Sequence, residues 1–317
     1  MCVEFRLTVW LRAIRFRFLA ASAIAVTCGL TLAVCINPSE FNIVNAILVY
    51  LGIFCLHSSV DLLNDYFDFK RGIDLRTKKT KFSGGTGVLP EGLLSPKIVY
   101  IAGIVFLLLG LIIGGIFVIF KGYIIGIILS FAAISIILYS TKLVNLGLGE
   151  LFVGIKGMFI VIGTFYVQTS MILLEPIILG VVVGLLSSIV LFVNSIPDLK
   201  ADREGGRRTL AILLDKYSGR VKFYFLTGLV ILTYVSGIVF FKILDSNFLI
   251  AFLPAILLLP AALKILSKFK NYITGIKDFG ELDYVRIMGD TVLFSRLFGI
   301  ALVTGITVVI LFRLNAT

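Results

Sequence analysis

Two short runs of asparagine and aspartate carry the chemistry this sequence can do. The first reads Asp61-Leu-Leu-Asn64-Asp65-Tyr-Phe-Asp68-Phe-Lys-Arg-Gly-Ile-Asp74. On a helix, Asp61, Asn64, Asp65 and Asp68 follow at i, i+3, i+4 and i+7 and gather on one side. Carboxylates crowded over two turns repel one another unless a cation sits among them, and the cost grows near a membrane interior. The second run, Asn194-Ser-Ile-Pro197-Asp198-Leu-Lys-Ala-Asp202, spaces Asn194, Asp198 and Asp202 by four, with Pro197 expected to kink or loosen the helix. Asn64 and Asp68 stand to each other as Asn194 and Asp198 do. Hard oxygen donors of this kind suit Mg²⁺, which keeps some water and is held by one or two carboxylates plus substrate phosphate oxygens. Two such clusters facing each other imply a metal-bridged diphosphate, with nearby basic residues binding the oxygens not taken by metal. Plain solvated helix ends would explain neither the repeated spacing nor the matching asparagines.

The elements that must position these runs are membrane helices. The 317 residues are 59% hydrophobic and 15% charged, whereas soluble domains are about 45–50% apolar and about 25% charged. A bilayer core takes roughly 20 apolar residues per helix, since lipid satisfies no backbone group. About nine such stretches occur, near 18–36, 43–67, 98–120, 123–139, 150–173, 176–196, 223–241, 248–265 and 292–314. The first follows Arg6, Arg12, Arg15 and Arg17, is too long for a signal-peptide core and lacks a small-residue cleavage site, so a retained helix is expected. Most of the 29 lysines and arginines fall in alternate loops, which places the N-terminus in the cytoplasm and accounts for the net charge of +11 without a nucleic-acid surface. Four helices separate the two acidic runs, so both emerge on the same, cytoplasmic face. A secondary transporter is the rival from another class, but its acids belong near the bilayer midplane rather than at helix ends beside long polar loops. Cys2, Cys28, Cys35 and Cys55 lack metal-ligand spacing and read as packing residues, and the lone His57 as a satisfied interior side chain.

Asn64-Asp-Tyr-Phe-Asp68 and Asp198-Leu-Lys-Ala-Asp202 match N-D-x-x-D and D-x-x-x-D, and over most of its length the chain resembles the UbiA superfamily of intramembrane prenyltransferases. The run to Lys70-Arg-Gly-Ile-Asp74, the segment Gly206-Arg-Arg-Thr-Leu210, and Gly147-Leu-Gly-Glu150 leading to Gly163-Thr-Phe-Tyr-Val-Gln168 resemble the menaquinone branch, 1,4-dihydroxy-2-naphthoate polyprenyltransferase. Lys156 departs from that branch, in which its position is usually apolar.

The resemblance implies an all-α, multi-pass bundle in the cell membrane, a single domain over 1–317, with about nine helices around a central cavity open to the cytoplasm. It implies Mg²⁺-dependent transfer of a polyprenyl group, geranylgeranyl or longer, from its diphosphate to an aromatic acceptor, 1,4-dihydroxy-2-naphthoate first, in menaquinone biosynthesis. 4-Hydroxybenzoate and geranylgeranylglyceryl phosphate are alternative acceptors for the same machinery. Under this reading Asn64 and Asp68 hold one Mg²⁺, and Asp198 and Asp202 hold the other. Lys142, Tyr139, Arg15 and Arg208 are the expected diphosphate partners, with Asp65, Asp68 and Asp198 as catalytic acids. For Asp61 and Asp65, two roles remain open: supporting the ligands or accepting the acceptor's proton.

Overall fold

A backbone that lipid cannot hydrogen-bond must close its own bonds, and the apolar stretches do so as helices. The computed structural model describes residues 2–76, 79–138, 142, 144–275 and 280–316, and among them there is no strand. In chain order the helices are α1 Cys2–Ala13, α2 Phe16–Ile36, α3 Ile43–Lys70, α4 Pro96–Lys121, α5 Tyr123–Leu138, α6 Gly149–Thr169 and α7 Leu174–Ser195. They continue as α8 Leu199–Glu204, α9 Leu210–Asp215, α10 Gly219–Leu244, α11 Phe248–Ile256, α12 Leu259–Ile273 and α13 Glu281–Ala316. Counting α11 and α12 as one, eight helices among the described residues are long and apolar enough to cross a membrane. With α5, an apolar helix of 16 residues, they match the nine stretches expected from sequence. The chain is a multi-pass membrane protein, and exposed Leu109, Ile112, Ile119 and Phe120 on α4 give it a surface suited to lipid.

Local chemistry sets the boundaries. Asn42 caps α3 by accepting from the backbone N–H groups of Val44 at 2.9 Å and Asn45 at 3.0 Å. Ser95 caps α4 with Pro96 behind it, and Gly122, at φ 88°, ends that helix and starts the turn into α5. The 248–265 stretch is two helices, because Pro260 at the start of α12 has no N–H to continue the ladder from α11. The last helix is longer than its apolar part, since α13 begins at Glu281 and runs for 36 residues. Between α1 and α2 stands Arg15, which has a side chain yet adopts φ 47°.

Helices α3, α5 and α7 end, and α4 and α6 begin, on one side of the bundle, so both acidic runs lie at that end. At the opposite end Lys121 donates to Ser170 at 3.1 Å, and Gln168 donates to the Asn42 carbonyl at 3.1 Å while accepting from its N–H at 2.8 Å. Helix α6 packs against α2 and α7, and α3 against α4. The α6–α7 contact depends on small residues: a Cβ on Gly184 would meet the Gly154 carbonyl oxygen at 2.3 Å. Gly184→Val should therefore destabilise the bundle by about 1–3 kcal/mol, seen as a melting point several degrees lower in detergent. Gly115→Ala, whose added Cβ meets open space, should not lower it.

Candidate active site

The ends of α3 and α7 converge on one cavity of about 440 Å³. At its polar end stand Asn64 and Asp68 from α3, Asn194 from α7, and Asp198 and Asp202 from the segment that follows. Helix α7 stops at Ser195, two residues before Pro197, and Asp198 occupies the N-cap position of the short helix α8. Asn194, Asp198 and Asp202 therefore do not share one continuous helix, yet the break keeps all three on the cavity wall. The Asn64 side-chain amide donates to Asp68 Oδ2 at 3.0 Å. The two clusters are linked by Arg207, whose guanidinium donates to Asp68 Oδ1 and, at 3.1 Å, to Asp202 Oδ1. The rest of the wall is largely apolar, with Phe117, Phe131, Phe152, Phe159 and Ile160 among its residues.

Asp65 and Asp61 separate in a way that spacing alone obscures. At 100° per residue Asp65 lies about 40° from Asp61 and about 60° from Asp68, at one edge of the acidic stripe. Its buried carboxylate accepts from Arg15 at 2.6 Å and from the backbone N–H of Thr86 at 3.3 Å, and also from the Thr86 hydroxyl. Asp65 is thus held behind the wall, and Asp61 is the acid that faces the cavity. The left-handed turn at Arg15 brings its guanidinium into this arrangement: burial by itself lowers the pKa of that group, but Asp65 and Asp61 more than reverse this and raise it.

Of the basic residues expected on the diphosphate, Arg15 lines the cavity, whereas Arg208 and Lys142 are exposed and absent from its wall; Tyr139 lies outside the described residues. Arg207, the neighbour of Arg208, is the one that turns inward. The two arginines are adjacent in a loop that has no periodicity, so nothing in the sequence selects between them. The glycine-rich segment 82–87, which has no periodic signal in the sequence, is a second feature of the site. Phe82, Ser83, Gly84 and Gly85 line the cavity, and the Gly84 backbone N–H donates to Asp198. A Cβ on Gly85, at φ 70°, would meet the Asp74 carboxylate at 2.8 Å, so only glycine lets this strap lie so close. Arg12 holds the strap from outside, donating to the Thr86 carbonyl at 2.7 Å and pairing with Glu91, which also pairs with Lys79.

The acids at this end are held away from water and short of partners. Burial, reinforced by Asp65 and Asp68, pushes the Asp74 carboxyl up to about 8, and burial with Asp202 raises Asp198 to about 7. Burial also raises Asp202, against the pull of Arg207. Among the described residues Asn194 Oδ1, Asp198 Oδ1 and Asp74 Oδ2 are buried without a hydrogen-bond partner. Such oxygens suit a hard divalent cation, which repays their desolvation. Among the described residues no three acidic, histidine or cysteine groups form a ready-made metal cage. The donor set therefore fits ions held by one or two carboxylates and completed by phosphate oxygens rather than a closed protein site.

A bundle of apolar helices with a cavity that is acidic at one end and largely apolar along its length suits a ligand with a charged head and a greasy body. Residues 22–271 match the model of the UbiA prenyltransferase family, and the chain belongs to that family. It is a prenyltransferase, which sets the transporter alternative aside. It is 28% identical over 260 residues to the 1,4-dihydroxy-2-naphthoate octaprenyltransferase of Haemophilus influenzae, covering 77% of this chain and 81% of that one. To the enzymes of the same name from Bacillus subtilis and Escherichia coli it is 29% identical over 209 residues, with 62% of each chain covered, and 27% identical over 222 residues, with 68% and 71% covered. Among solved structures, its fold is similar to a UbiA homologue from Archaeoglobus fulgidus bound to DMAPP and Mg²⁺, with TM-score 0.62, 13% identity, and 92% and 98% of the two chains covered. It is also similar to a digeranylgeranylglyceryl phosphate synthase, with TM-score 0.57, 17% identity, and 95% and 98% covered.

Proposed function

We propose that this enzyme transfers a polyprenyl group, geranylgeranyl or longer, from its diphosphate to a hydroxylated aromatic acid, with 1,4-dihydroxy-2-naphthoate as the acceptor and menaquinone biosynthesis as the setting. The observation that carries the reading is the meeting of both Asn/Asp clusters at one end of one largely apolar cavity. The three named relatives support the acceptor. All 317 residues act as one domain, and the acid end faces the cytoplasm, since that orientation puts most lysines and arginines inside.

In this reading Asn64 and Asp68 hold one Mg²⁺, and Asp198 and Asp202 hold the other. When bound, the metal would neutralise charge on the diphosphate. The chain's own groups do the rest. Arg207 and Arg15 offer donors at the polar end, where a diphosphate would lie. Apolar residues take the prenyl tail, which gains about 0.8 kcal/mol per buried CH₂, and keep water from the allylic carbon as its bond to oxygen breaks. Asp61, on the wall and with Oδ2 lacking a hydrogen-bond partner among the described residues, is placed to accept the proton that the acceptor ring or hydroxyl gives up.

Purified enzyme with labelled geranylgeranyl diphosphate and Mg²⁺ should yield prenylated product from dihydroxynaphthoate, and little from 4-hydroxybenzoate or geranylgeranylglyceryl phosphate, by mass spectrometry. A preference for the glyceryl phosphate would overturn the aromatic assignment.

A further inference from the structure

Lys156, a basic group on the cavity wall, makes no hydrogen bond or ion pair with the acid clusters. Lys156 lies seven residues into α6, so it sits about 10 Å along the helix from Gly149, past the acid end and on the apolar wall. Phe152, Lys156 and Phe159 follow at i, i+4 and i+7, share one face of α6 and all line the cavity. Phe131 of α5 stacks on Phe152 with ring centres 5.7 Å apart and planes 5° from parallel, and meets Phe159 edge-on at 5.0 Å. The result is a lysine set within a wall of aromatic rings.

Lys156 also lacks an anion in contact. Its charge acts on Asp61 and His57, but the contacts of Asp61 go elsewhere, to His57 Nε2 at 3.6 Å and Arg15 Nε at 3.9 Å. His57 is fixed in turn by Ser22 at 2.7 Å. Among the described residues Lys156 makes no hydrogen bond, ion pair or ring contact. An ammonium half-buried in a largely apolar wall without a direct partner is costly, and a ligand carboxylate set between aromatic faces would supply that partner.

We propose that Lys156 reads the carboxylate of the aromatic acceptor, with Phe131, Phe152 and Phe159 as the surface against which the acceptor's ring lies. This rests on the prenyl-transfer reading for its choice of ligand and adds the residue that sets acceptor class. It makes Lys156 a specificity residue and leaves the diphosphate to the acid end.

The test is binding, which needs no turnover. Full-length protein with Mg²⁺ is titrated with 1-hydroxy-2-naphthoate and with 1-naphthol, the same ring without the carboxylate. The unmodified enzyme should bind the acid more tightly, and Lys156→Met should weaken the acid about ten- to a hundredfold while leaving 1-naphthol unchanged. Lys156→Arg should keep the preference, and retained 1-naphthol binding reports that each variant is folded; Lys156→Gln replaces the methionine variant if that one is not. Equal weakening of both ligands, or of neither, overturns the proposal. If the unmodified enzyme transferred no prenyl group to any aromatic acid, the function reading would fall, and the binding comparison would still judge Lys156.

Discussion

Asp68→Ala is expected to abolish prenyl transfer, lowering kcat/KM by about 10³-fold or more, equal to about 4 kcal/mol of lost transition-state stabilisation, while the bundle stays folded, though it melts lower because Arg207 loses a partner. Asp68 is the acid on which the site turns: it accepts from Asn64 and from Arg207, and so joins the first cluster to the second. Asp198→Ala should match it, because among the described residues Asp198 Oδ1 is buried with no partner of its own, and the proposed function gives it a role toward the ligand. EDTA should reproduce both losses until Mg²⁺ is restored. Asp65→Ala gives the contrast, since its carboxylate is spent on Arg15 and Thr86; its loss should show first in thermal stability. Product formation with labelled geranylgeranyl diphosphate and melting in detergent measure the two separately, and near-normal turnover in Asp68→Ala would refute the metal assignment.

The contrast between Asp65 and Asp61 shows what the sequence could resolve. Periodicity put both on one side of α3, because a helical stripe is read only to within about half a turn. Which member faces the cavity depends on groups far away in the chain, Arg15 and Thr86, brought there by a left-handed residue and a glycine strap. Neither carries a local signal. The apolar stretches were legible because each must satisfy its own backbone in lipid, a condition that needs no partner. Pro197 was legible as a break, and the structure ends α7 at Ser195. Pro260 was the same signal in a stretch whose apolar run otherwise looked continuous, and there it splits the helix in two. Arg207 and Arg208 are neighbours in a loop, where side-chain direction is set by tertiary contacts alone, so the sequence does not distinguish them.

Arg207 carries the second large effect, because its guanidinium joins Asp68 and Asp202 at a buried junction. Removing one partner of a buried charge network costs about 3–5 kcal/mol, since the remaining charges are left uncompensated. Arg207→Gln should therefore melt well below the unmodified enzyme in EDTA. A divalent cation with inorganic diphosphate stabilises whichever form binds it, and it brings to Asp68 and Asp202 the positive charge the substitution removed. Most of the lost melting temperature should return when Mg²⁺ and inorganic diphosphate are added together. Turnover should not return with it: a donor at the leaving diphosphate is gone, and transfer should remain about 10²-fold slower. Arg208→Gln, on an exposed side chain, should change neither quantity. A melting deficit in Arg207→Gln that is the same with and without Mg²⁺ would mean that this arginine braces the fold without sharing the metal's place, and that the two acid clusters are not held apart for a cation.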